Sequence, residues 1–244
     1  FIACESFTEL LNKVSSENCL GLLPVENSIA GTVNEAYEEL INSGLEIFGE
    51  YIKKIDHTLI GLSNSKFEEI THVISHPQAL QQCSKFLQDS KLRITPVFDT
   101  AGSVFEILET KDINTAAIAG EHFKNDERFK ILKENISNHQ ENFTRFLLIG
   151  NEKLESNKEN NKYSSVLISD DKPGSLLKAL NIFSDLNINL TKLESRPILG
   201  RPWEYKFYID YELQNVKTQT ELIDGIKKVS KEFIILGHYP KANP

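Results

Sequence analysis

Small polar side chains stand at three points where the sequence pattern predicts that a strand leads into a helix. These junctions are Glu26-Asn27-Ser28, Ser75-His76-Pro77-Gln78 and Asp99-Thr100. Ligands of doubly wound sheets bind beyond the carboxyl ends of strands, where a helix N-terminus offers free amides and a positive dipole end to an anion. Ser28, Ser75 and Thr100 could each simply cap a helix. Three such junctions together favour an anionic small molecule as the ligand.

Two further places carry side chains that could act on such a ligand. Gln82 borders the apolar face of the helix that follows Pro77, where an amide is either satisfied by a neighbouring backbone group or directed into a site. In the segment NFTRF, strand alternation places Thr144 and Phe146 on one face and Arg145 on the other. If Thr144 faces a ligand, Arg145 is expected to brace something behind it.

Common catalytic signatures are missing from the sequence. It has no GxSxG, HExxH, P-loop or GxGxxG motif. His72 and His76 share a strand face but have no evident third ligand, so no metal site is expected. Cys83 lies in an apolar helical stripe, which is typical of a core residue rather than a nucleophile.

Composition excludes several classes of protein. The 244 residues carry 27 basic and 35 acidic side chains, a formal charge of −8, with no basic stripe to neutralise nucleic-acid phosphates. No run approaches about 18 apolar residues, so no membrane span is expected. The three cysteines are odd in number and lack CxxC spacing, which favours a reducing compartment.

The elements that would position these residues alternate between strand and helix. Capping-box patterns at Ser6 to Glu9 and at Thr32 to Glu35 predict two helix starts. Short apolar strands are predicted at Cys19 to Val25, His72 to His76 and Arg93 to Phe98, each leading into a helix. This alternation predicts an α/β fold with a mostly parallel sheet.

The chain is predicted to form two domains. Leu45 to Gly61 is too long for one isolated strand and is interpreted as a crossover between two lobes, with Thr144 to Gly150 returning to the first. Residues 1–150 form the first domain, with crossovers near 50–61 and 138–145, and the polar segment 151–162 is a linker. Residues 163–244 are predicted to form a ferredoxin-like βαββαβ domain, with its elements at 163–169, 174–186, 190–197, 203–211, 218–231 and 233–239.

Several segments resemble, in order, the motifs of one enzyme family. In the first domain these are Pro24 to Ser28 with Gly31-Thr32-Val33 (PIENS-x-x-G-x-V), Gly49-Glu50 with Ile55-Asp56-His57 (GE…I-x-H), Ser75 to Cys83 (SHPQALAQC) and Asn142 to Phe146 (N-x-TRF). The family is prephenate dehydratase, which converts prephenate to phenylpyruvate in phenylalanine biosynthesis. The resemblance implies a bilobal catalytic region like the type II periplasmic binding proteins, and no metal or redox cofactor.

The resemblance also implies roles for individual residues. Thr144 would hydrogen-bond the departing ring hydroxyl, Phe146 would wall the ring and Arg145 would support them. The two carboxylates of prephenate would lie on Asn27, Ser28, Ser75 and the adjacent helix N-termini, with Gln82 orienting the ring. Glu26, Gly31 and Thr100 complete the expected substrate-binding set.

Residues 163–244 resemble the ACT regulatory domain that is fused to these enzymes. The matching segments are Pro173-Gly174-Ser175-Leu176, Glu194-Ser195-Arg196-Pro197 and Pro202-Trp203-Glu204-Tyr205, which are similar to PGAL, ESRP and PWEY. The resemblance implies that L-phenylalanine binds near residues 173–176 and 194–196 as an allosteric inhibitor. It also implies a homodimer or homotetramer formed through this domain, and a cytoplasmic location, or a plastid one if a removed leader was a transit peptide.

The sequence departs from the family pattern in a few places, and two rival functions stay open. The family's initial strand and glycine-containing loop have no counterpart before Phe1, so part of the active site is expected to be missing from this sequence, as would be any fused chorismate mutase domain. The usual Tyr-Gly is replaced within residues 123–129, and PGAL reads PGSL through Ser175. One rival is arogenate dehydratase, which performs the same elimination on the amino-acid analogue. The other is an amino-acid-sensing binding protein without catalysis.

Overall fold

A computed structural model describes residues 2–151 and 161–243 of the chain. Seven α-helices and thirteen strands are found in these ranges, besides two short 3₁₀ turns. In chain order they are α1 (Phe7–Glu17), β1 (Gly21–Asn27), β2 (Gly31–Thr32), α2 (Asn34–Ser43), β3 (Glu46–Lys54), β4 (His57–Leu62), β5 (His72–Ser75), α3 (Pro77–Gln82), α4 (Ser84–Ser90), β6 (Arg93–Pro96), α5 (Gly102–Thr110), β7 (Thr115–Gly120), β8 (Phe129–Lys133), β9 (Phe143–Gly150), β10 (Lys162–Ser169), α6 (Ser175–Asp185), β11 (Asn189–Ile198), β12 (Arg201–Glu212), α7 (Val216–Lys227) and β13 (Ser230–Tyr239).

The strands form two mixed sheets, so the predicted α/β fold is confirmed but the predicted mostly parallel sheet is wrong. The larger sheet has the order β11-β12-β10-β13-β3-β9-β1-β2, and the smaller has the order β6-β5-β7-β4-β8. In the smaller sheet β5 is parallel to β6 and β7, while β4 is antiparallel to β7 and β8. The parallel strands β5, β6 and β7 follow one another along the chain with helices between them, since parallel neighbours need a crossover connection.

The chain divides into two compact units. The first unit comprises residues 1–53 and 144–244, and the second comprises residues 54–143. Each buries its own apolar clusters: one in the first unit contains Leu23 and Ile149, while the second unit has clusters around Val73 and around Ile107. The division into domains 1–150 and 163–244 stays a prediction, and the linker 151–162 lies almost wholly outside the described residues.

The long segment from Leu45 to Gly61 is two strands, as its length suggested. β3 belongs to the larger sheet and β4 to the smaller one. β4 is buried at every residue, including the polar His57 and Thr58. β9 returns the chain to the larger sheet, where it pairs with β1 and places Thr144 opposite Asn27.

Of the two predicted capping boxes, one is present only in its serine half. The Ser6 hydroxyl accepts a hydrogen bond from the Glu9 amide at 3.1 Å and caps α1, although Glu9 Oε2 accepts from the Glu5 amide rather than from Ser6. The capping box at Thr32 is wrong, because α2 has Val33 at its N-cap without a side-chain cap. Thr32 lies in β2 and its hydroxyl bonds instead to Glu194 and Lys192.

Residues 162–239 follow the element order β10-α6-β11-β12-α7-β13, and their strands lie in the order β11-β12-β10-β13. This is the antiparallel ferredoxin-like arrangement that the periodicity predicted. Leu176 and Phe183 of α6 pack in one apolar cluster, together with Leu186 at the C-cap of the helix. A single parallel pair, Gly237 with Ile47, joins β13 to β3, so these strands extend the sheet that carries β1 and β9.

No helix among the described residues is both long and apolar enough to cross a membrane.

Candidate functional site

The strand pair β1 and β9 brings together two of the predicted site residues. Asn27 Nδ2 donates a hydrogen bond to Thr144 Oγ1 at 3.0 Å. Asn27 Oδ1 accepts from the amides of Ile29 and Ala30 at 3.0 and 2.9 Å, which shapes the turn toward Gly31. Gly31 has φ of 85°, a left-handed conformation that favours glycine. Asn27 therefore both forms the turn and orients the threonine hydroxyl.

Because Thr144 Oγ1 accepts from Asn27, its own hydrogen is available for a different acceptor. No group in residues 2–151 or 161–243 accepts that hydrogen. Thr144 and Phe146 are half-buried, and Phe146 lies 6.4 Å from Tyr51 between ring centroids. A half-buried hydroxyl with a fixed acceptor side is suited to donating a hydrogen bond to a ligand oxygen.

Arg145 points to the other side of β9, as strand alternation predicted, into a buried ionic network. Its Nε donates to Glu50 Oε2 at 2.6 Å, one terminal nitrogen donates to Asp210 Oδ2 at 2.6 Å and the other to the Tyr239 hydroxyl at 3.0 Å. Lys162 Nζ also donates to Glu50, at 2.8 Å. The expectation that Arg145 braces the strand from behind Thr144 agrees with these contacts.

The network balances two buried cations with two buried carboxylates. Burial alone lowers the pKa of the Arg145 guanidinium, but the negative charges around it, Asp210 above all, raise that pKa well above its usual range. Burial also raises the pKa of the Tyr239 hydroxyl, which therefore stays protonated and can hydrogen-bond Ser164. Buried charges of this kind depend on complete pairing, so each partner is needed to keep Arg145 in place.

A second polar cluster joins the turn after β1 to β11. Lys192 Nζ lies 3.2 Å from Glu26 Oε2 and donates to Thr32 Oγ1 at 2.8 Å. The Thr32 hydroxyl donates to Glu194 Oε2. Glu26 also lies 3.6 Å from Arg145, between nitrogen and carboxylate oxygen. Two residues of the expected sites, Glu26 and Glu194, are thus linked through Lys192 and Thr32.

In the second unit, Gln82 is the last residue of α3 and its side-chain amide is held on one side. Gln82 Oε1 lies 2.8 Å from His57 Nε2 and accepts from Asn142 Nδ2 at 3.2 Å. Asn142 is fully buried and is the first residue of the NFTRF segment. The sequence left two alternatives for the Gln82 amide: a hydrogen bond to the backbone, or direction into a site. Its oxygen does neither, because the side chains of His57 and Asn142 bind it.

The remaining predicted substrate residues are Ser75, Thr100 and Ser28, of which Ser75 and Thr100 share no hydrogen-bond partner among the described residues. Ser75 is fully buried and its hydroxyl donates to the Ile118 carbonyl at 2.6 Å, while His76, not Ser75, caps α3. Thr100 is half-buried, and its backbone carbonyl accepts from the Ser103 hydroxyl. Asp99, not Thr100, accepts from the first amides of α5. Ser28 is exposed at the turn after β1.

The expected effector residues lie at the start of α6 and on β11. Gly174 has φ of 80° at the N-cap of α6, followed by buried Ser175 and half-buried Leu176, whereas Pro173 is exposed. On β11, Ser195 is exposed and Glu194 lies 4.0 Å from Arg196. No hydrogen bond or ion pair joins the two groups directly among the described residues.

Reasoning from sequence missed most of the network around Arg145. Lys162 and Tyr239 carry no local signal, because Lys162 ends the polar segment interpreted as a linker and Tyr239 lies in a strand pattern that looks ordinary. Glu50 was noticed only within its motif. Asp210, a charged residue within the aromatic and aliphatic run from Phe207 to Tyr211, is the one feature that could have pointed to a buried partner.

Other expectations about reactive groups can be compared with the structure. Cys83 is fully buried in an apolar cluster, and burial raises the pKa of its thiol to about 12, as expected for a core residue. Within the described ranges, no group of three or more histidine, cysteine, aspartate or glutamate side chains could hold a metal ion.

The fold and these side chains define an α/β protein in which a paired asparagine and threonine present a hydroxyl donor at the end of two sheet strands. The sequence model of the family described as "Prephenate dehydratase" matches residues 1–154. The chain belongs to the prephenate dehydratase family.

Curated relatives agree with this assignment over nearly the whole chain. A prephenate dehydratase of Methanocaldococcus jannaschii is 38% identical, covering 97% of this chain and 86% of the relative. A bifunctional chorismate mutase/prephenate dehydratase of Escherichia coli is 30% identical over 98% of this chain, which spans 63% of that relative. An arogenate dehydratase/prephenate dehydratase of Arabidopsis thaliana is 34% identical over 90% of this chain, which spans 60% of that relative.

Solved structures share the fold. GqqA, described as a novel type of quorum quenching acylase, has a TM-score of 0.88 and 26% identity, covering 99% of this chain and 89% of its own. The prephenate dehydratase of Staphylococcus aureus has a TM-score of 0.86 and 25% identity, covering 98% and 89%. The prephenate dehydratase of Arthrobacter aurescens in complex with L-Phe has a TM-score of 0.86 and 24% identity, covering 99% and 81%.

Proposed function

We propose that this protein is a carbon-oxygen lyase that converts prephenate to phenylpyruvate, carbon dioxide and water. The observation that carries the proposal is the hydrogen bond from Asn27 Nδ2 to Thr144 Oγ1, which joins the two motifs most typical of the family. In this reaction the bond to the ring carboxylate breaks, and its electron pair completes the aromatic ring as the ring C–O bond breaks. The departing hydroxide takes up one proton to become water.

Thr144 supplies a positioned hydrogen bond in this mechanism. An alcohol is too weak an acid to protonate the leaving hydroxyl by itself, but a fixed donor stabilises the negative charge that develops on that oxygen. Asn27 occupies the acceptor side of Thr144 Oγ1 and so directs the hydrogen outward. Loss of the carboxylate as neutral carbon dioxide is favoured where water is excluded.

The hydrogen bonds of the other expected residues indicate which of them can contact the substrate and which support the site. Asn27 Nδ2 is engaged with Thr144, and the Ser75 hydroxyl with Ile118, so neither is the best donor to a carboxylate. Exposed Ser28 and the amide nitrogen of Gln82 remain the proposed polar contacts, with Phe146 beside the ring. Glu26, Gly31 and Arg145 serve the geometry of Asn27 and Thr144, and Thr100 stays an expected contact without further support.

Residues 163–244 are proposed to act as an ACT regulatory domain that binds L-phenylalanine. The support is the chain of contacts from Glu194 through Thr32 and Lys192 to Glu26, which lies next to Asn27. A ligand at residues 173–176 and 194–196 that changed these contacts would alter the Asn27 turn. Such coupling is reciprocal, so prephenate should also weaken phenylalanine binding.

A homo-oligomer is proposed as well. β11 is the outermost strand of the larger sheet, and it carries exposed Leu193. Nearby positions along the β11–β12 hairpin expose Leu199 and Trp203, at 97% and 80% of their surface. An unpaired strand edge with exposed apolar side chains is a surface that a second copy can cover. Light scattering of the purified protein tests this, and a monomer at every concentration would contradict it.

The experiment that tests the function is formation of phenylpyruvate from prephenate by the purified full-length protein, with and without phenylalanine. Turnover that phenylalanine suppresses is the expected result. Conversion of arogenate but not prephenate would move the assignment to arogenate dehydratase. Absence of turnover with both substrates would favour an amino-acid-sensing binding protein.

A further inference from the structure

His57 is a buried titratable side chain that the proposed mechanism does not use. It begins β4 in the second unit and exposes 5% of its surface. Its Nε2 lies 2.8 Å from Gln82 Oε1, whereas its Nδ1 is buried without a hydrogen-bond partner among the described residues. An amide oxygen can only accept, so an imidazole hydrogen lies on Nε2 and His57 donates to Gln82.

Gln82 Oε1 is therefore fixed between two donors. Asn142 Nδ2 supplies the second hydrogen bond at 3.2 Å. The backbone of Gln82 is anchored as well, since its carbonyl accepts from the Asn138 amide at 2.7 Å. With the main chain held, only one amide orientation of the side chain lets its oxygen accept from both His57 and Asn142.

That orientation leaves the amide nitrogen of Gln82 as an available donor. In the part of the chain that the structure describes, no group accepts from Gln82 Nε2. Gln82 is half-buried, so its side chain is partly accessible to a ligand and partly held by the protein. A half-turn of the amide would place its NH₂ against the imidazole N–H and lose that hydrogen bond.

We propose that His57 is a positioning residue: it fixes the Gln82 amide so that the Nε2 donor is presented to an oxygen of the substrate. This inference rests on the proposed function, in which Gln82 contacts prephenate. His57 itself touches no substrate. Because Gln82 orients the ring in both the bound substrate and the transition state, loss of the His57 bond weakens binding more than it slows the chemical step.

The test compares substitutions at His57 with the same substitutions at His72. His57→Leu removes the donor, and His57→Gln restores one, because a glutamine Nε2 lies as many bonds from Cα as the histidine Nε2 does. His72 is a matched control: it lies in β5 of the same unit and bonds to Thr95 and Thr115 instead of Gln82. Prephenate kinetics and the thermal unfolding midpoint are measured for all four variants.

We expect His57→Leu to raise KM about 10-fold or more with a much smaller change in kcat, since a misplaced contact can cost up to about 100-fold. His57→Gln should recover most of the loss, and both His72 variants should keep the wild-type KM. In a Gln82→Met background, His57→Leu should add little to KM, because the two residues act as one unit.

Three results would overturn the inference while leaving the dehydratase intact. They are a wild-type KM in His57→Leu, an equal loss in His57→Gln and His57→Leu, or a full additional loss in the Gln82→Met background. If His57→Leu does not fold, the KM of His57→Gln is compared with that of Gln82→Met. A KM in His57→Gln as high as in Gln82→Met would contradict the positioning role of His57. Absence of turnover in the wild-type protein would instead overturn the proposed function, and this role with it.

Discussion

The Thr144 hydroxyl shows how one side chain can be made into a directed donor by its neighbour. Asn27 uses its oxygen to build the turn at residues 28–31 and its nitrogen to occupy Thr144 Oγ1. Both residues sit opposite each other in the register of β1 and β9. The position of the hydroxyl hydrogen is therefore determined by a strand pairing and one amide.

Replacing Thr144 with valine should lower kcat about 100-fold or more, because removal of one positioned hydrogen-bond donor typically costs 100- to 1000-fold. Valine has the same shape and leaves the fold unchanged. Thr144→Ser keeps the hydroxyl and should retain most of the turnover. Steady-state kinetics on prephenate measure the effect, and near-wild-type kcat in Thr144→Val would rule out the proposed role.

At Asp210, the buried charge matters for stability. Asp210→Ala leaves Arg145 with one anion fewer in a site where Asp210 is 2% exposed. Removing one partner of a buried ion pair costs about 3 to 5 kcal/mol of unfolding free energy. Urea denaturation should show this loss. Asp224→Ala, an exposed aspartate of α7, is the control and should change stability by less than about 0.5 kcal/mol.

At the level of elements, one close approach joins β13 to β3. Gly237 pairs with Ile47, and a Cβ at Gly237 would overlap the Ile47 carbonyl oxygen and lie 2.6 Å from Ile47 Cβ. The requirement for glycine is spatial here, because backbone meets backbone. The strands of residues 162–239 therefore join the sheet of β1 and β9 at a point that tolerates no side chain.

Gly237→Ala should destabilise the protein by about 1 to 3 kcal/mol, the usual cost of inserting an extra methyl group into a packed site. Gly49→Ala, one strand away in β3, provides the matched control, because its Cβ would meet only Leu148 at 3.7 Å. Thermal unfolding of both variants measures the difference. Equal midpoints for the two would show that the β13–β3 contact can separate without cost.

The link between β11 and the β1–β2 turn leads to a regulatory prediction. Lys192→Met removes the ammonium that contacts Glu26, Thr32 and Glu194. We expect the phenylalanine concentration for half-inhibition to rise about 10-fold, within the usual range of coupling energies, with a smaller effect on uninhibited turnover. Lys178→Met, at an exposed position of α6, should leave inhibition unchanged. Unaltered inhibition in Lys192→Met would contradict this route.

On the scale of the whole molecule, the two units differ in how the chain forms them. Residues 54–143 are one continuous segment with a complete five-stranded sheet and two apolar clusters. The first unit is assembled from two separate segments, and its largest cluster combines Leu23 and Leu40 with Val166 and Tyr239. A continuous segment with its own core can fold alone, whereas half of a shared core cannot.

An isolated fragment of residues 54–143 should therefore fold cooperatively. Its one cysteine, Cys83, reports on this directly, because burial raises the pKa of the thiol to about 12 and hides it from reagents. We expect slow reaction with a chromogenic disulfide reagent, becoming fast in urea. Residues 1–53, which lack β9 beside β1, form the control fragment and should stay unfolded. A fast-reacting Cys83 in native buffer would refute independent folding.

Many of the secondary-structure elements of this protein could be predicted from local sequence patterns. Apolar runs and helical spacing predicted the strands and helices of both halves, and the alternation in NFTRF predicted that Arg145 lies behind Thr144, because each pattern reflects side-chain directions that the backbone itself determines. The motifs likewise indicated the family. Local pattern could not decide that Thr32 bonds Glu194 instead of capping α2, since that choice depends on a residue 162 positions away.

Only the tertiary structure decided the partners of the polar side chains. Asp210 and Tyr239 reach Arg145, Lys162 reaches Glu50, and His57 reaches Gln82, across sequence separations that no local periodicity encodes. The mixed sheets have the same cause, because strand direction follows from which distant strands pair. The sequence by itself determined the elements and the residue types at the site, and long-range pairing determined which donor faces which acceptor.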